Sequence, residues 1–254
     1  MSLPTLAVDW PDLPLSVGVL TTTRQGGVSG APYDDGVGGG GLNLGTHVGD
    51  GADIVARNRA LLRQQLPSEP LWLTQVHGTG VIHADMSPTS AEADACITAQ
   101  PEQVCAIMTA DCMPVLLADS RAQVVGAAHA GWRGMASGVL QATVNAMRER
   151  GADQIVAWLG PGIGPNAFEV GQDVLQAFEP WATGHSAFKA IEARPGKLFA
   201  DLPALAKVIL ASVGVSNVAG GQHCTLSDPA RFYSFRRDRI TGRMATMIWI
   251  KRAS

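Results

Sequence analysis

The chain has 254 residues, of which 46% are hydrophobic and 16% are charged, and its net charge is −3. This length suffices for one large domain with a substantial core, and the composition excludes a disordered adaptor. The chain has no long basic run and no apolar stretch of the about 18 residues that a membrane-spanning helix needs. Its start is acidic and proline-containing, unlike a signal peptide. We therefore expect a soluble cytoplasmic protein that does not bind nucleic acid.

In chain order, the first distinct segment is the glycine-rich stretch 36–41. It lacks the Lys-Ser/Thr pair of a phosphate-binding P-loop, so we predict a flexible surface loop. Strands are predicted over 104–108, 115–118 and 123–129, because these runs are short, apolar and bounded by turn residues. The glycine-containing stretch 130–134 ends the third of these strands.

Helix-like and strand-like segments alternate through the rest of the chain. A helix with Val139, Val144 and Met147 on its apolar face is expected to end at Gly151. The further predicted elements are a strand over 155–159, a rigid Gly/Pro turn over 160–165, helices over 173–178 and 202–212, and a closing strand over 244–250. No linker or repeat divides the chain, so the mixture of elements predicts one α+β domain over residues 1–254.

Three segments present metal-binding side chains in turn-like settings: TQVHG at 74–78, TADCMP at 109–114 and AHAGWRG at 128–134. Their candidate ligands are His77, Cys112 and His129, which are too widely spaced for a local zinc finger and would meet only in the folded chain. Two imidazoles and one thiolate suit zinc and leave a fourth position open for water or substrate. The same set is also the blue-copper arrangement. From residue types alone, core histidines and a buried thiol remain the alternative.

The other cysteines and three of the other histidines are predicted to be structural. They are Cys96, Cys105 and Cys224, which we expect to be inert buried thiols, and His83, His185 and His223. No C-x-x-C pair occurs, and a disulfide framework is not expected in a reducing compartment.

Several motifs in the same order resemble the YfiH family, also called the multicopper polyphenol oxidase or laccase-domain family. They are TTRQGGVS, LNLGTHVGD, RNR, TQVHG, MTADCMPVLLAD, AHAGWRG, LGPGIGPNAFEVG and FYSFRRDRITGRMA, and they span nearly the whole chain. The resemblance implies a single α+β domain with a mixed β-sheet core flanked by helices. It also implies one zinc bound by His77, Cys112 and His129. The stretch 35–41 departs from the family pattern, in which PYD leads almost directly to LNLG.

The family has been described in three ways. The first is zinc-dependent phosphorolysis of adenosine, inosine, guanosine or methylthioadenosine, together with deamination of adenosine. The second is copper-dependent oxidation of polyphenols, and the third is hydrolytic editing of peptidoglycan precursors. The chain has six histidines and no H-x-H pair, which argues against a multicopper cluster and leaves copper as an alternative occupant of one site. We expect a purine nucleoside and phosphate as substrates.

The resemblance also suggests roles for residues around the metal. Arg59 is the first candidate for binding phosphate and Arg133 the second. Asn43 would bind ribose hydroxyls, and Asp111 would either move a proton or serve as a structural acceptor. In a hydrolase without metal, Cys112 would be the nucleophile, with His129 or His77 as its base.

Residues elsewhere in the shared motifs are predicted to be mainly structural. The C-terminal arginines Arg236, Arg237 and Arg243 are expected to pin the last strand through salt bridges, with phosphate binding as the alternative. His47 is expected to pack or to hydrogen-bond behind the metal ligands.

Overall fold

A computed structural model of the chain describes residues 3–86, 90–181 and 186–252, so His185 lies outside the described residues. Its strands are β1 (Thr5–Leu6), β2 (Val17–Thr22), β3 (Gln25–Ser29), β4 (Pro70–Leu71), β5 (Val81–His83), β6 (Ala95–Thr98), β7 (Val104–Thr109), β8 (Met113–Asp119), β9 (Val125–Ala130), β10 (Ile155–Leu159), β11 (Glu169–Val170), β12 (Phe188–Ala190), β13 (Leu198–Ala200), β14 (Val218–Gly220) and β15 (Met244–Ile250). Its helices are α1 (Ala52–Arg63), α2 (Trp132–Ser137), α3 (Val139–Glu149), α4 (Gln172–Ala177), α5 (Leu202–Ser212) and α6 (Phe235–Asp238). Within those ranges, no helix has the length and apolar character needed to cross a membrane.

Two mixed β-sheets form the centre of the molecule. The strand order is β1-β2-β15-β7-β4 in the first sheet and β14-β10-β8-β9-β6-β5 in the second. Most neighbours are antiparallel, but β4–β7, β5–β6 and β10–β14 are parallel pairs. A smaller sheet has the order β11-β13-β12. The closing strand β15 is central in the first sheet, between β2 and β7, so the chain end is built into the core.

Alternating side chains of the buried strands serve two different cores. In β8, Leu116 and Ala118 pack into the cluster that joins the two sheets. Val115 and Leu117 point the other way, into the cluster formed with α3 and α5. On the outer face of the first sheet, Leu62 of α1 packs with side chains of β7 and β15. Strands buried on both faces appear in sequence as continuous apolar runs, and the result is a layered helix–sheet–sheet–helix arrangement.

The predicted α+β class with a mixed β-sheet core flanked by helices is confirmed, although the core comprises two main sheets. The strand predicted over 123–129 begins two residues later, at Val125. The reason is the buried carboxylate of Asp119, which accepts the backbone N–H groups of Arg121 and Gln123 and holds this stretch in a turn.

Helices α1 and α2 were not predicted. The buried face of α1 consists of Val55, Asn58 and Leu62, and a polar residue in the middle of that face hides the helical period. Helix α2 occupies most of the stretch predicted as a break after β9 and ends at Gly138, whose φ of 106° suits glycine.

The glycine-rich stretch 36–41 lies mostly on the surface, as predicted. Its start is fixed by Asp35, whose Oδ1 accepts the backbone N–H groups of Val37 and Gly39 at 3.0 and 2.8 Å. The stretch does not contribute to the pocket described below.

Candidate metal centre

Two of the three predicted ligands are brought together by the pairing of β8 with β9. Cys112 lies in the short turn between β7 and β8, where Asp111 adopts a positive φ of 87°. Because β8 and β9 are antiparallel with Pro114 opposite His129, the turn places Cys112 beside the end of β9. The register of this strand pair therefore sets the separation between the thiol and one imidazole.

The third predicted ligand, His77, lies on the loop between β4 and β5 and has a positive φ of 61°. This loop is held by Asp94, a fully buried aspartate directly before β6. Its Oδ1 accepts the backbone N–H of His77 at 2.9 Å, and its Oδ2 accepts those of Val76 and Gly78 at 3.2 and 2.6 Å. Hydrogen bonds to a charged group are strong, and these three offset the strain at His77.

Asp94 also orients His129. The Oδ1 atom of Asp94 is 2.8 Å from Nδ1 of His129, and the backbone carbonyl of Asp94 accepts the His129 N–H at 2.7 Å. The carboxylate assigns the imidazole proton to Nδ1, which leaves Nε2 directed towards Cys112. A carboxylate behind a histidine is the usual arrangement for a metal ligand. Asp94 was not predicted, because its only signal in the sequence is an acidic residue directly before a buried strand.

The three donor atoms of His77, Cys112 and His129 all lie within 4.8 Å of one another. The Sγ atom of Cys112 is 3.8 Å from Nε2 of His77, and the two imidazole centroids are 4.8 Å apart with an interplanar angle of 72°. Zinc forms bonds of about 2.3 Å to sulfur and about 2.0–2.1 Å to nitrogen, so one ion reaches both atoms of the 3.8 Å pair. Among the described residues, this is the single group of three or more potential ligands.

The electrostatics favour the thiolate form of Cys112. Burial alone would raise the pKa of its thiol, but the charge and hydrogen bond of His129 and the hydrogen bond of His77 lower this pKa to about 6. Burial would likewise lower the pKa of His129, but the Cys112 thiolate and Asp94 raise it to about 9. The thiolate is the form that binds metals, so Cys112 is already in its metal-binding form near neutral pH.

The open space around the ligands depends on Gly131, which follows β9. A Cβ atom at this position would lie 2.9 Å from Sγ of Cys112 and 3.3 Å from Cδ2 of His77.

We expect Gly131→Ala to lower metal affinity by about tenfold or more, because both ligands must shift. Competitive chelator titration measures this change. Gly80→Ala is the matched control, since its Cβ would make only ordinary contacts, 3.7 Å or longer, with Ala93 and its neighbour. Equal affinities for the two variants would contradict the prediction.

The ligands lie at one wall of a pocket of about 390 Å³. This volume falls within the range of about 300–1,000 Å³ that is typical of small-molecule sites. Other side chains that line the pocket are His47, Arg59, Trp72, Gln75, Phe235 and Arg243. No aspartate or glutamate of the described ranges is part of this lining, so the pocket is cationic.

The two arginines predicted to bind phosphate have different locations. Arg59 lines the pocket, where its Nε and Nη2 donate to the Leu44 carbonyl at 3.0 and 2.9 Å and its guanidinium stacks 4.1 Å from the Trp72 ring centroid. Arg133 is exposed on α2, stacks on its neighbour Trp132, and does not line the pocket.

Asn43, predicted to bind ribose, does not reach the pocket surface. Its side chain is fully buried, and its Oδ1 accepts the backbone N–H groups of Gly45 and Arg243 at 3.0 and 2.9 Å. Its Nδ2 donates to Asp50 at 3.0 Å and to the Gly45 carbonyl at 3.3 Å. Because its side-chain oxygen and nitrogen are already paired, Asn43 shapes the chain behind the pocket, and its binding of ribose stays a prediction.

Both carboxylate oxygens of Asp111 are engaged in structural hydrogen bonds. Oδ1 accepts the Thr225 hydroxyl and Oδ2 accepts the backbone N–H of Arg236, each at 2.6 Å. Asp111 does not line the pocket. This geometry favours the structural-acceptor alternative: Asp111 ties the turn that carries Cys112 to the start of α6, which presents Phe235 to the pocket.

The C-terminal arginines also differ from the prediction. Only Arg237 forms a salt bridge within the described part of the chain, at 2.8 Å to the adjacent Asp238. Arg236 donates to the carbonyl of Glu169 at 2.9 Å. Arg243 lines the pocket, as does His47, so both residues are nearer the site than the sequence indicated.

Of the cysteines predicted to be buried and inert, Cys224 is partly exposed, and hydrogen bonds from Ser227 outweigh the burial that would raise its pKa.

These features define a class of protein: an α+β protein in which two histidines and one cysteine form an open candidate metal centre beside a cationic small-molecule pocket. The chain belongs to the family described as multi-copper polyphenol oxidoreductase laccase, whose profile matches residues 18–251. The resemblance to the YfiH family is thereby confirmed.

Individual relatives cover almost the entire chain. The chain is 49% identical to a purine nucleoside phosphorylase of Pseudomonas aeruginosa, over 97% of this chain and 98% of that protein. It is 46% identical to the purine nucleoside phosphorylase YfiH of Escherichia coli, over 95% and 96% of the two chains. The crystal structure of the Neisseria meningitidis protein NMB0706 matches with a TM-score of 0.89 and 45% identity, covering 98% of this chain and 99% of that one.

Proposed function

We propose that this protein is a zinc-dependent purine nucleoside phosphorylase that holds its metal through His77, Cys112 and His129. The observation that carries the proposal is the convergence of these three side chains at the wall of a cationic pocket of about 390 Å³. The purine nucleoside phosphorylase activity for which relatives 46–49% identical are named supports the same reaction.

The donor set fits zinc and leaves one coordination position for a substrate or water. Copper is an alternative occupant, because His₂Cys also suits copper. A multicopper oxidase needs further copper ions with their own imidazole ligands. The one ligand group found among the described residues offers two imidazoles, so it does not support that chemistry.

In phosphorolysis, a phosphate oxygen forms a bond to C1′ of the ribose while the bond from C1′ to the purine nitrogen breaks. The bound metal would supply Lewis acidity that stabilises negative charge in this exchange. The protein would orient the reactants: Asp94 holds the proton on Nδ1 of His129, and Arg59 offers a cation to the phosphate. The half-exposed Phe235 provides aromatic surface for the purine.

The finer specificity follows the family resemblance. We propose adenosine, inosine, guanosine and methylthioadenosine as nucleosides, with phosphate as the second substrate. Deamination of adenosine at the same metal is a second proposed activity, since an open zinc site also activates water for attack on C6 of adenine. We further propose that the enzyme acts in the cytoplasm as a single catalytic domain over residues 1–254.

The test combines metal analysis of the purified protein with turnover of inosine and adenosine, with and without inorganic phosphate. We expect about one zinc per chain and release of free base and ribose 1-phosphate only when phosphate is present, because phosphate is consumed in the reaction. Conversion of adenosine to inosine without added phosphate would support the deaminase activity.

Two results would contradict the proposal. Protein that contains no metal and still turns over the nucleosides would reject the metal centre. Metal-loaded protein that turns over neither nucleoside would reject the phosphorylase and favour hydrolytic editing of peptidoglycan precursors instead.

A further inference from the structure

A second arginine shares the pocket with Arg59. Arg243 directly precedes β15 in the first sheet, whereas Arg59 belongs to α1 on the outer face of that sheet, and both side chains line the pocket. His47, from the loop before α1, lies in the same lining. Three separate segments thus bring basic side chains to one small-molecule site.

Neither pocket arginine forms a salt bridge in the described part of the chain, although the charge of Glu69 acts on Arg59 and the charges of Cys112 and Asp111 act on Arg243. Arg59 donates through Nε and Nη2 to the Leu44 carbonyl, and Arg243 donates through Nη1 to the carbonyls of Thr241 and Gly242, both at 3.1 Å. The remaining guanidinium nitrogens, Nη1 of Arg59 and Nε and Nη2 of Arg243, have no hydrogen-bond acceptor in residues 3–86, 90–181 and 186–252. Unpaired N–H donors on partly buried cations are costly, and an anionic ligand would remove that cost.

Asn43 and Gly45 pack behind Arg243 and hold it in place. Its backbone N–H donates to the buried Asn43 at 2.9 Å, and a Cβ atom on Gly45 would lie only 2.8 Å from Cγ of Arg243. Gly45 therefore leaves room for the aliphatic part of the arginine, and Asn43 fixes its backbone. Such support preorganises a binding group and lowers the entropy that a ligand must overcome.

The basic groups lie within electrostatic reach of each other and of the metal ligands. Burial lowers the pKa of His47, and the charges of Arg243 and Arg59 lower it further. Burial also lowers the pKa of Arg243, against which the negative charge of Cys112 is the largest opposing effect. The charges of the two arginines therefore reach the same part of the pocket, beside Cys112.

We propose that Arg243 and Arg59 together bind the phosphate group that attacks the nucleoside, with His47 beside them in the pocket wall. This inference rests on the proposed phosphorylase function. A nucleoside is neutral and has no need of two guanidinium groups, whereas a phosphate dianion matches their fork-shaped N–H donors. The ligand chemistry is a phosphate group, and we assign it to inorganic phosphate in preference to a phosphate monoester.

Calorimetric titration of the metal-loaded protein with inorganic phosphate tests this assignment without requiring turnover. We expect one phosphate to bind per chain, and Arg243→Gln and Arg59→Gln each to weaken binding by about tenfold or more, since each removes charge-assisted hydrogen bonds. Arg57→Gln is the matched control: Arg57 is on the same helix as Arg59 and loses the same charge, but it is exposed and paired with Asp53. A second titration uses a nucleoside 5′-monophosphate, and thermal unfolding verifies that each variant is folded.

The outcomes separate this inference from the proposed function. Phosphate binding that is lost in both pocket variants but retained in Arg57→Gln supports the site, even if no nucleoside is turned over. Phosphate-dependent turnover with an unchanged KM for phosphate in both pocket variants overturns the site and leaves the phosphorylase standing. Binding of the monophosphate without binding of inorganic phosphate would overturn the assignment to inorganic phosphate. Failure of both probes to bind would overturn the site altogether.

Discussion

Replacing Cys112 by alanine is expected to leave the purified protein with little bound metal and to lower phosphorolysis by at least roughly 100-fold. Loss of an outer hydrogen-bond partner already costs about 10–100-fold in metal affinity or activity, and loss of a ligand itself should cost more. The two remaining histidines offer only nitrogen donors, without the thiolate that completes the proposed zinc site. Metal analysis and inosine turnover on the same sample measure both effects.

Cys224→Ala provides the control for this experiment. Cys224 is also partly exposed and also accepts hydrogen bonds, from the Gly164 backbone and the Ser227 hydroxyl at 3.2 Å each, but it does not line the pocket. We expect its metal content and turnover to match the unaltered protein. A Cys112→Ala protein that retains one metal per chain and full activity would show that the metal is bound elsewhere.

Asp94→Asn is expected to have the second-largest effect. The two carboxylate oxygens accept the backbone N–H groups of residues 76–78 and the Nδ1 proton of His129. An asparagine retains one acceptor oxygen and turns an NH₂ group towards donors that it cannot satisfy. We expect metal affinity to fall by about 10–100-fold and the free energy of unfolding to fall by about 3 kcal/mol. Chelator competition and denaturant unfolding measure the two changes.

Asp119→Asn distinguishes an effect on the position of the metal ligands from an effect on the stability of the protein. Asp119 is equally buried and accepts the backbone N–H groups of Arg121, Gln123 and Asp153, but it lies at the opposite end of β8, roughly 20 Å from the residues beside the metal centre. We expect Asp119→Asn to lower stability by about 1–3 kcal/mol and to leave metal affinity unchanged. If both variants lost stability and neither lost metal affinity, Asp94 would be a structural residue only.

Asp94 also gives a physical account of why the site holds together before a metal arrives. The hydrogen bond from His129 and those from the Gly78 and His77 backbone keep the pKa of Asp94 low, although burial alone would raise it. The carboxylate is therefore charged near neutral pH. This charge faces the backbone N–H of His77 and the Nδ1 atom of His129 at once. One buried group thus fixes both a loop and an imidazole, which limits the reorganisation needed for metal binding.

The matched family is described as a copper oxidase, whereas the relatives are named purine nucleoside phosphorylases, and these two activities require different chemistry. A thiolate with two imidazoles accepts either zinc or copper, so the ligand set is compatible with both metals. The pocket adds information that the ligands do not. Its cationic wall, to which no described aspartate or glutamate contributes, suits a phosphate co-substrate, whereas a neutral phenol would make no use of two guanidinium groups.

Much of the architecture could be predicted from local patterns. The apolar runs of β7, β8 and β9 are continuous because both faces of these strands are buried, and such runs are visible without knowledge of the fold. The amphipathic period of α3 is equally clear, with Val139, Val144 and Met147 on its buried face. Helix α1 escaped prediction because its buried face includes Asn58, which hydrogen-bonds the carbonyls of Gly41 and Asn43.

The sequence by itself determined which side chains were candidates for the metal, since His77, Cys112 and His129 each follow or precede a turn signal beside an apolar run. Their meeting, the support from Asp94, the burial of Asn43 and the arrival of Arg243 in the pocket were decided only by the tertiary structure. The physical reason is that local periodicity records whether a residue faces a core or solvent. The distance between residues far apart in the chain depends instead on strand register and on the packing of one sheet against the other.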